Sequence, residues 1–250
     1  MQPPALPEPR AHWALFLDFD GSIVEIAPTP DSIVVPETLP PLLTALRGAL
    51  GGAVAIVTGR PIAQIDAYLG AAVPAVAGLH GLERRGADGA IVRPPPNDDL
   101  RRARAPLEAF AAAHPGILFE DKEYSLALHY RLAPSLEDAC RDVVDSVLGD
   151  GAEGWEILEG KMVFEIRPRG LAKGAAIEAF MGEAPFVGRI PVFCGDDITD
   201  EDGFAVVNAR GGVSVRVGER AATRAAVRVD TVADLLDWLV RVAGSARLSA

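Results

Sequence analysis

Short apolar runs that stop at a polar residue recur along this chain and set its plan. The stretch His12–Asp18 is apolar without alternation and breaks off at Asp18-Phe19-Asp20-Gly21-Ser22. Such a run predicts a parallel strand buried on both faces. A polar loop punctuated by Pro28 and Pro30 follows, as far as Asp31. Leu39, Leu42, Leu43, Leu46 and Leu50 recur at helical spacing, so a helix is expected over 37–50, ended by Gly51-Gly52. Ala53–Val57 is a second short apolar run, closed by Thr58-Gly59-Arg60. Pro61 suits the first turn of a helix reaching Leu69. Ala75–Ala77 reads as a third strand, before Gly78-Leu79-His80-Gly81. This βαβαβ order is the signature of a doubly wound parallel sheet.

The rhythm then changes. Leu82–Val92 reads as a hairpin turning at Gly86–Gly89, and Pro94-Pro95-Pro96 marks a boundary. A helix is expected over 98–113, strands near 117–120 and 124–130, and a helix over 134–148. Strands over 155–159 and 162–167 follow, joined by Gly160-Lys161. Twice over this is helix, strand, strand, which describes an antiparallel sheet with helices on one face. From Pro168 the parallel style returns. A helix over 170–181 carries Lys173 in its first turn, and Ile190–Cys194 is a strand ending in Gly195-Asp196-Asp197-Ile198-Thr199-Asp200-Glu201-Asp202. A helix, strands over 212–217 and 227–229, and a helix over 232–242 close the chain. The fold class expected is α/β: a parallel-sheet, Rossmann-like core of residues 1–97 and 168–250, with an α+β module of residues 98–167 inserted. Three separate small domains are the alternative, but each terminal piece alone is too small to cover both faces of a parallel sheet.

Composition narrows the function. The chain has 250 residues, 49% of them apolar, enough for a real core. Its net charge of −11 argues against a nucleic-acid partner, which calls for a basic face, and against an anionic membrane surface. The apolar runs are too short to span a bilayer. Residues 1–10 are proline-rich and lack the apolar stretch of a signal peptide, so a short disordered tail on a cytoplasmic protein is expected. Cys140 and Cys194 show neither metal-ligand spacing nor a disulfide framework and read as small buried thiols. Of the 24 basic residues only Lys122, Lys161 and Lys173 are lysine. Lysine and arginine are not interchangeable where a compact charge is wanted. A lysine kept here hints at function, with chance as the alternative.

Ligands of α/β sheets sit beyond the carboxyl ends of the strands. Asp18/Asp20, Thr58 and Asp196/Asp197 all end apolar runs, so strands parallel in one sheet would deliver them to one edge, with Lys173 nearby. Gly21 lets the backbone turn sharply there. The bland alternatives are a strand ending in a polar turn and an acidic helix N-terminus. Two like charges about 4 Å apart cost about 4 kcal/mol at an effective dielectric near 20. A divalent cation relieves that repulsion, and a donor set of hard oxygens suits magnesium. A carboxylate, a metal, a hydroxyl and a lysine around one point describe phosphoryl transfer, with one aspartate as nucleophile and another as acid and base.

These four segments, Asp18–Ser22, Val57–Arg60, Lys173-Gly174 and Gly195–Asp200, resemble the ordered motifs of the haloacid dehalogenase-like superfamily, and the inserted module resembles its type 2B cap. Within that group the chain resembles trehalose-6-phosphate phosphatases through the segments 18–31, 78–82, 120–131, 160–173 and 195–202; the likeness spans roughly residues 15–238. The resemblance implies Asp18 as nucleophile, Asp20 as acid/base, and Thr58 and Lys173 as phosphoryl holders. Magnesium would be held by Asp18, the Asp20 backbone carbonyl and Asp196, with Asp200 in support. Gly21, Gly59, Arg60, His80 and Gly81 join the expected substrate-binding set. The resemblance adds Glu120, Lys122, Arg131, Lys161 and Glu165 as residues that reach the sugar, a solvated charged surface being the alternative. His80 either lines the site or is a hydrogen-bonded loop histidine. His129, inside an alternating strand, reads as structural, and Trp13, Trp155 and Trp238 read as packing residues. Ser22 departs from the threonine usual in the family but keeps the hydroxyl. The expected activity is magnesium-dependent hydrolysis of a disaccharide phosphate by a monomer. A capped phosphatase for another sugar phosphate, a catalytically idle sugar-phosphate sensor and a phosphate-transferring mutase are the rivals.

Overall fold

The computed structural model describes residues 6–29, 32–93, 98–149, 154–169, 172–219 and 222–245. In chain order the first elements are β1 (Trp13–Leu17), α1 (Leu39–Ala49), β2 (Val54–Val57), α2 (Ile62–Leu69), β3 (Ala75–Gly78), β4 (Glu83–Arg85) and β5 (Ile91–Val92). The middle of the chain forms α3 (Asp98–Ala113), β6 (Leu118–Asp121), β7 (Leu126–His129), α4 (Glu137–Leu148), β8 (Trp155–Gly160) and β9 (Val163–Pro168). Then come α5 (Lys173–Met181), β10 (Ile190–Gly195), α6 (Glu201–Ala209), β11 (Val213–Val217), β12 (Val227–Val229) and α7 (Val232–Ser245).

Among the described residues, eight strands make one sheet in the order β12-β11-β10-β1-β2-β3-β4-β5. The six from β12 to β3 are parallel; β4 and β5 add on antiparallel. All five residues of β1 are buried, as an unbroken apolar run requires. Alternate side chains leave by opposite faces. Trp13, Leu15 and Leu17 join a core built with α1, α2 and α7. Ala14 and Phe16 join a second core built with α5 and α6. The chain runs from β1 to β2 on one side, while β10 pairs with β1 on the other. That reversal is the switch point at which α/β sheets bind ligands.

Residues 82–92 form the expected hairpin, β4 and β5. β4 pairs with β3 and β5 with β4, so the hairpin extends the main sheet. The tail expected to be disordered is in part docked: Trp238 Nε1 donates to the Pro7 carbonyl at 3.1 Å, and Leu6 packs on the core. Residues 1–5, the boundary at Pro94–Pro96 and the expected helix start at Gly170 lie outside the described residues. The helix begins at Lys173, with Ala172 as N-cap. Trp13 packs on Trp238, ring centroids 5.8 Å apart.

Contacts divide the chain into one unit of Met1–Ala27, Ile33–Val92 and Ala172–Ala250, and another of Pro28–Ser32 and Arg93–Leu171. In the second, β6-β7-β9-β8 form an antiparallel sheet. Leu126, Leu128, Phe164, Ile166 and Trp155 pack with Leu100, Leu107, Cys140 and Val144 of α3 and α4. The opposite face of that sheet carries Glu120, Ala127, His129, Glu165 and Arg167. No helix among the described residues is long and apolar enough to cross a membrane.

Candidate active site

Asp18 follows the last residue of β1, and its backbone N–H continues the ladder to the Cys194 carbonyl at 2.9 Å. The chain then folds back on itself. Ile23 and Val24 N–H both donate to the Phe19 carbonyl at 3.1 Å, and Gly21 N–H to that of Val24 at 2.7 Å. Gly21 has φ +78°, and a Cβ there would overlap the Asp196 carboxylate. Glycine is thus needed twice, for the turn and for the approach of β10's loop. Both Asp18 oxygens are engaged: Lys173 Nζ donates to Oδ1 at 2.6 Å and Ser22 Oγ to Oδ2 at 3.1 Å. Ser22 thus supplies the hydroxyl expected at this position.

Lys173 is buried at the first residue of α5 and also donates to Asp200 Oδ1 at 2.7 Å. The other Asp200 oxygen accepts the backbone N–H groups of Asp196 and Asp197 at 2.9 and 2.8 Å. Asp200 therefore ties the lysine to the loop after β10. Asp202 accepts from Gly174 N–H at 2.7 Å and fixes the start of α5. Arg216 of β11 donates to the Asp197 carbonyl at 3.0 Å. Sequence reasoning assigned neither Asp202 nor Arg216; the only signal was that Asp202 closes the acidic run.

At the end of β2, Thr58 is buried and its hydroxyl accepts Arg60 N–H at 3.1 Å, which leaves its own proton to donate. A Cβ on Gly59 would meet the His80 imidazole. His80, with φ 57°, donates its N–H to the Thr58 carbonyl at 2.9 Å and is buried. Gly81 approaches Ala176 of α5. His80 and Gly81 thus join the end of β3 to the Thr58 loop and to the lysine helix. Arg60 grips the half-buried Asp20 with two bonds, Nε to Oδ2 at 2.6 Å and Nη2 to Oδ1 at 2.7 Å. Its guanidinium lies over Phe19 and Tyr68, 5.9 and 5.6 Å from the ring centroids. The arginine entered as a substrate ligand in the sequence reading; here it holds the carboxylate expected to handle protons.

Asp18, Asp196 and Asp200 each offer an oxygen, all within 4.8 Å of one another. Burial, then the Asp200 charge, pushes the Asp18 carboxyl well above the ordinary range, against the pull of Lys173. Burial works against the Lys173 ammonium too, but Asp18 and Asp200 outweigh it and raise its pKa. One ammonium against three carboxylates leaves excess negative charge at the mouth of the sheet. The donors are hard oxygens, so the site fits a divalent cation.

In the other unit, Lys122 Nζ donates to Glu165 Oε2 at 2.7 Å, and His129 Nε2 meets Glu120 Oε2 at 2.8 Å. Lys122 lies 3.9 Å from that same Glu120 oxygen. Arg131 donates to the Lys161 carbonyl at 3.0 Å, beside the β8–β9 turn. The expected sugar residues thus fall into a linked group, Glu120, Lys122 and Glu165, and a pair, Arg131 and Lys161.

A family model described as trehalose-phosphatase matches residues 16–232. A probable trehalose-phosphate phosphatase of Sinorhizobium fredii (strain NBRC 101917 / NGR234) is 44% identical over 207 residues, 83% of this chain and 78% of that one. The trehalose-6-phosphate phosphatase of Escherichia coli (strain K12) is 43% identical over 237 residues, 93% and 87% of the two chains. The C-terminal domain of the Candida albicans trehalose-6-phosphate phosphatase superposes with a TM-score of 0.81 at 20% identity, covering 94% of this chain and 92% of that one; at that identity it speaks for the fold alone.

Proposed function

Since the chain belongs to the trehalose-phosphatase family, we propose that it is a phosphoric monoester hydrolase that converts trehalose 6-phosphate to trehalose and phosphate. The observation that carries this reading is the Asp18–Lys173–Asp200 chain beside Asp196, with Thr58 ending the neighbouring strand. Asp18 attacks phosphorus, and the bond from phosphorus to the sugar oxygen breaks. Asp20 gives its proton to the departing oxygen, a contribution of about 10²–10⁴ in rate. Asp20 then takes a proton from water, which attacks the aspartyl-phosphate and returns the Asp18 carboxylate. Lys173 and the Thr58 hydroxyl hold phosphoryl oxygens; Arg60 grips both oxygens of the ionised Asp20 and must release one for Asp20 to carry the proton.

Magnesium, held by Asp18, Asp196 and the Asp20 carbonyl with Asp200 in support, would supply positive charge for the developing phosphoryl oxyanions. The inserted module of residues 98–167 is assigned the sugar, through Glu120, Lys122, Arg131, Lys161 and Glu165. Carboxylates accept from sugar hydroxyls, while lysine and arginine donate. Two buried, unbridged cysteines agree with work in the cytoplasm. The reaction needs no second subunit, so a monomer is the simplest active form. A nucleophile held by a lysine is of no use to a pure sugar-phosphate sensor, which disfavours that rival.

A phosphate-release screen over a panel of sugar phosphates tests the reading. Trehalose 6-phosphate is expected to be the best substrate, with activity lost on chelation and restored by magnesium. A better rate on another sugar phosphate would reassign the substrate, and activity unchanged by chelation would remove the metal.

A further inference from the structure

His129 takes no part in the chemistry described so far, and its place in an alternating strand reads as structural. Its surroundings say more. On β7, Leu126 and Leu128 point into the helix-packed core of the inserted module, and His129 leaves by the other face. His129 stands opposite Leu118 of β6, so Glu120, two residues on, is its diagonal neighbour on that face. Glu165 of β9 faces the same way, opposite Ala127. The four side chains form one row: His129 to Glu120 at 2.8 Å, Glu120 to Lys122 at 3.9 Å, and Lys122 to Glu165 at 2.7 Å. Burial pushes the Glu120 carboxyl up, but the hydrogen bond from His129 and the charge of Lys122 bring it below the ordinary range. An ionised carboxylate only accepts, so Nε2 carries the proton and donates.

We infer that His129 is a positioning residue for sugar recognition: it holds Oε2 of Glu120, and so presents the carboxylate beside Lys122 and Glu165 as a fixed array for sugar hydroxyls. A long carboxylate side chain left to itself loses rotamer freedom on binding, and pre-orientation removes that cost. The histidine occupies one oxygen and leaves the other to accept from a hydroxyl. The inference rests on the assignment of this face to the sugar.

Steady-state kinetics with trehalose 6-phosphate and with p-nitrophenyl phosphate, which has no sugar, test it. His129→Leu is expected to raise KM for trehalose 6-phosphate about tenfold, the size of one hydrogen bond to a charged group. Its kcat should stay close to that of the parent, and its p-nitrophenyl phosphate kinetics should not move. His129→Gln, whose side-chain amide donates at similar reach, should recover most of the loss. In a Glu120→Gln background, His129→Leu should add little, because the carboxylate it positions is gone. An unchanged KM for the sugar phosphate, a parallel fall on both substrates, or full additivity with Glu120→Gln would each overturn the assignment. Glu165→Gln separates the two levels of the argument. If it raises KM for trehalose 6-phosphate and His129→Leu does not, only the histidine's role falls. If neither does, the assignment of this face to the sugar falls with it.

Discussion

Asp18→Asn is expected to abolish phosphate release and, in metal-free protein, to raise the melting temperature. The loss follows from chemistry, since a carboxamide has no anionic oxygen to attack phosphorus. The gain follows from charge. Asp18 is buried beside Asp196 and Asp200, and its ionised form is disfavoured by burial and by Asp200. Asparagine keeps the shape and an oxygen to accept from Lys173 or Ser22, and removes one of three crowded negative charges. Lys173 still keeps Asp200. A gain of about 1 kcal/mol would appear as about 2–4 °C in a chain of this size. Calorimetry and a phosphate assay on the same sample read both effects. Retained turnover would remove Asp18 from the attack. A lowered melting temperature would show that its bond to Lys173 outweighs the repulsion.

Lys173→Met is expected to do the opposite to stability while also ending turnover. Methionine matches the lysine stem as far as Cε but leaves Asp18 and Asp200 buried without their shared cation. Removing one partner of a buried ion pair costs about 3–5 kcal/mol. Urea unfolding should show that loss as a lower midpoint with an unchanged slope. Combining it with Asp18→Asn should recover part of the loss, because groups in one network are not additive. A variant as stable as the parent would mean that the carboxylates around Lys173 are neutral in the resting protein. A variant that still turns over would free Lys173 from any role in holding the phosphoryl group.

How much of this was legible in the chain depended on how local each signal was. β1, β2 and β10 announce themselves because a strand buried on both faces has no polar residue until it ends, and here the ends carry Asp18, Thr58 and Asp196. The helix expected over 170–181 is α5, which starts at Lys173 itself. Pairing partners are not local, and there the sequence says less. The hairpin of residues 82–92 is legible from its turn, but not that its backbone completes one edge of the parallel sheet. The Pro7 contact to Trp238 spans most of the chain, and no composition rule announces it. In the site, Arg60 and Asp20 are forty residues apart, and only the fold shows that their four polar atoms pair. The bond of His129 to Glu120 is hidden from the sequence for a related reason. Alternation says which residues share a face, but not which charged side chains of that face come within bonding distance.

The Asp18 carboxylate is the group that takes the phosphoryl group from the sugar in the proposed reaction. Acid quenching during turnover of trehalose 6-phosphate, followed by borohydride reduction and mass spectrometry of the peptide around residue 18, measures this directly. The expected result is homoserine at position 18, absent when substrate is omitted. An unmodified Asp18 in samples quenched under sustained turnover, or a label on another residue, would contradict it.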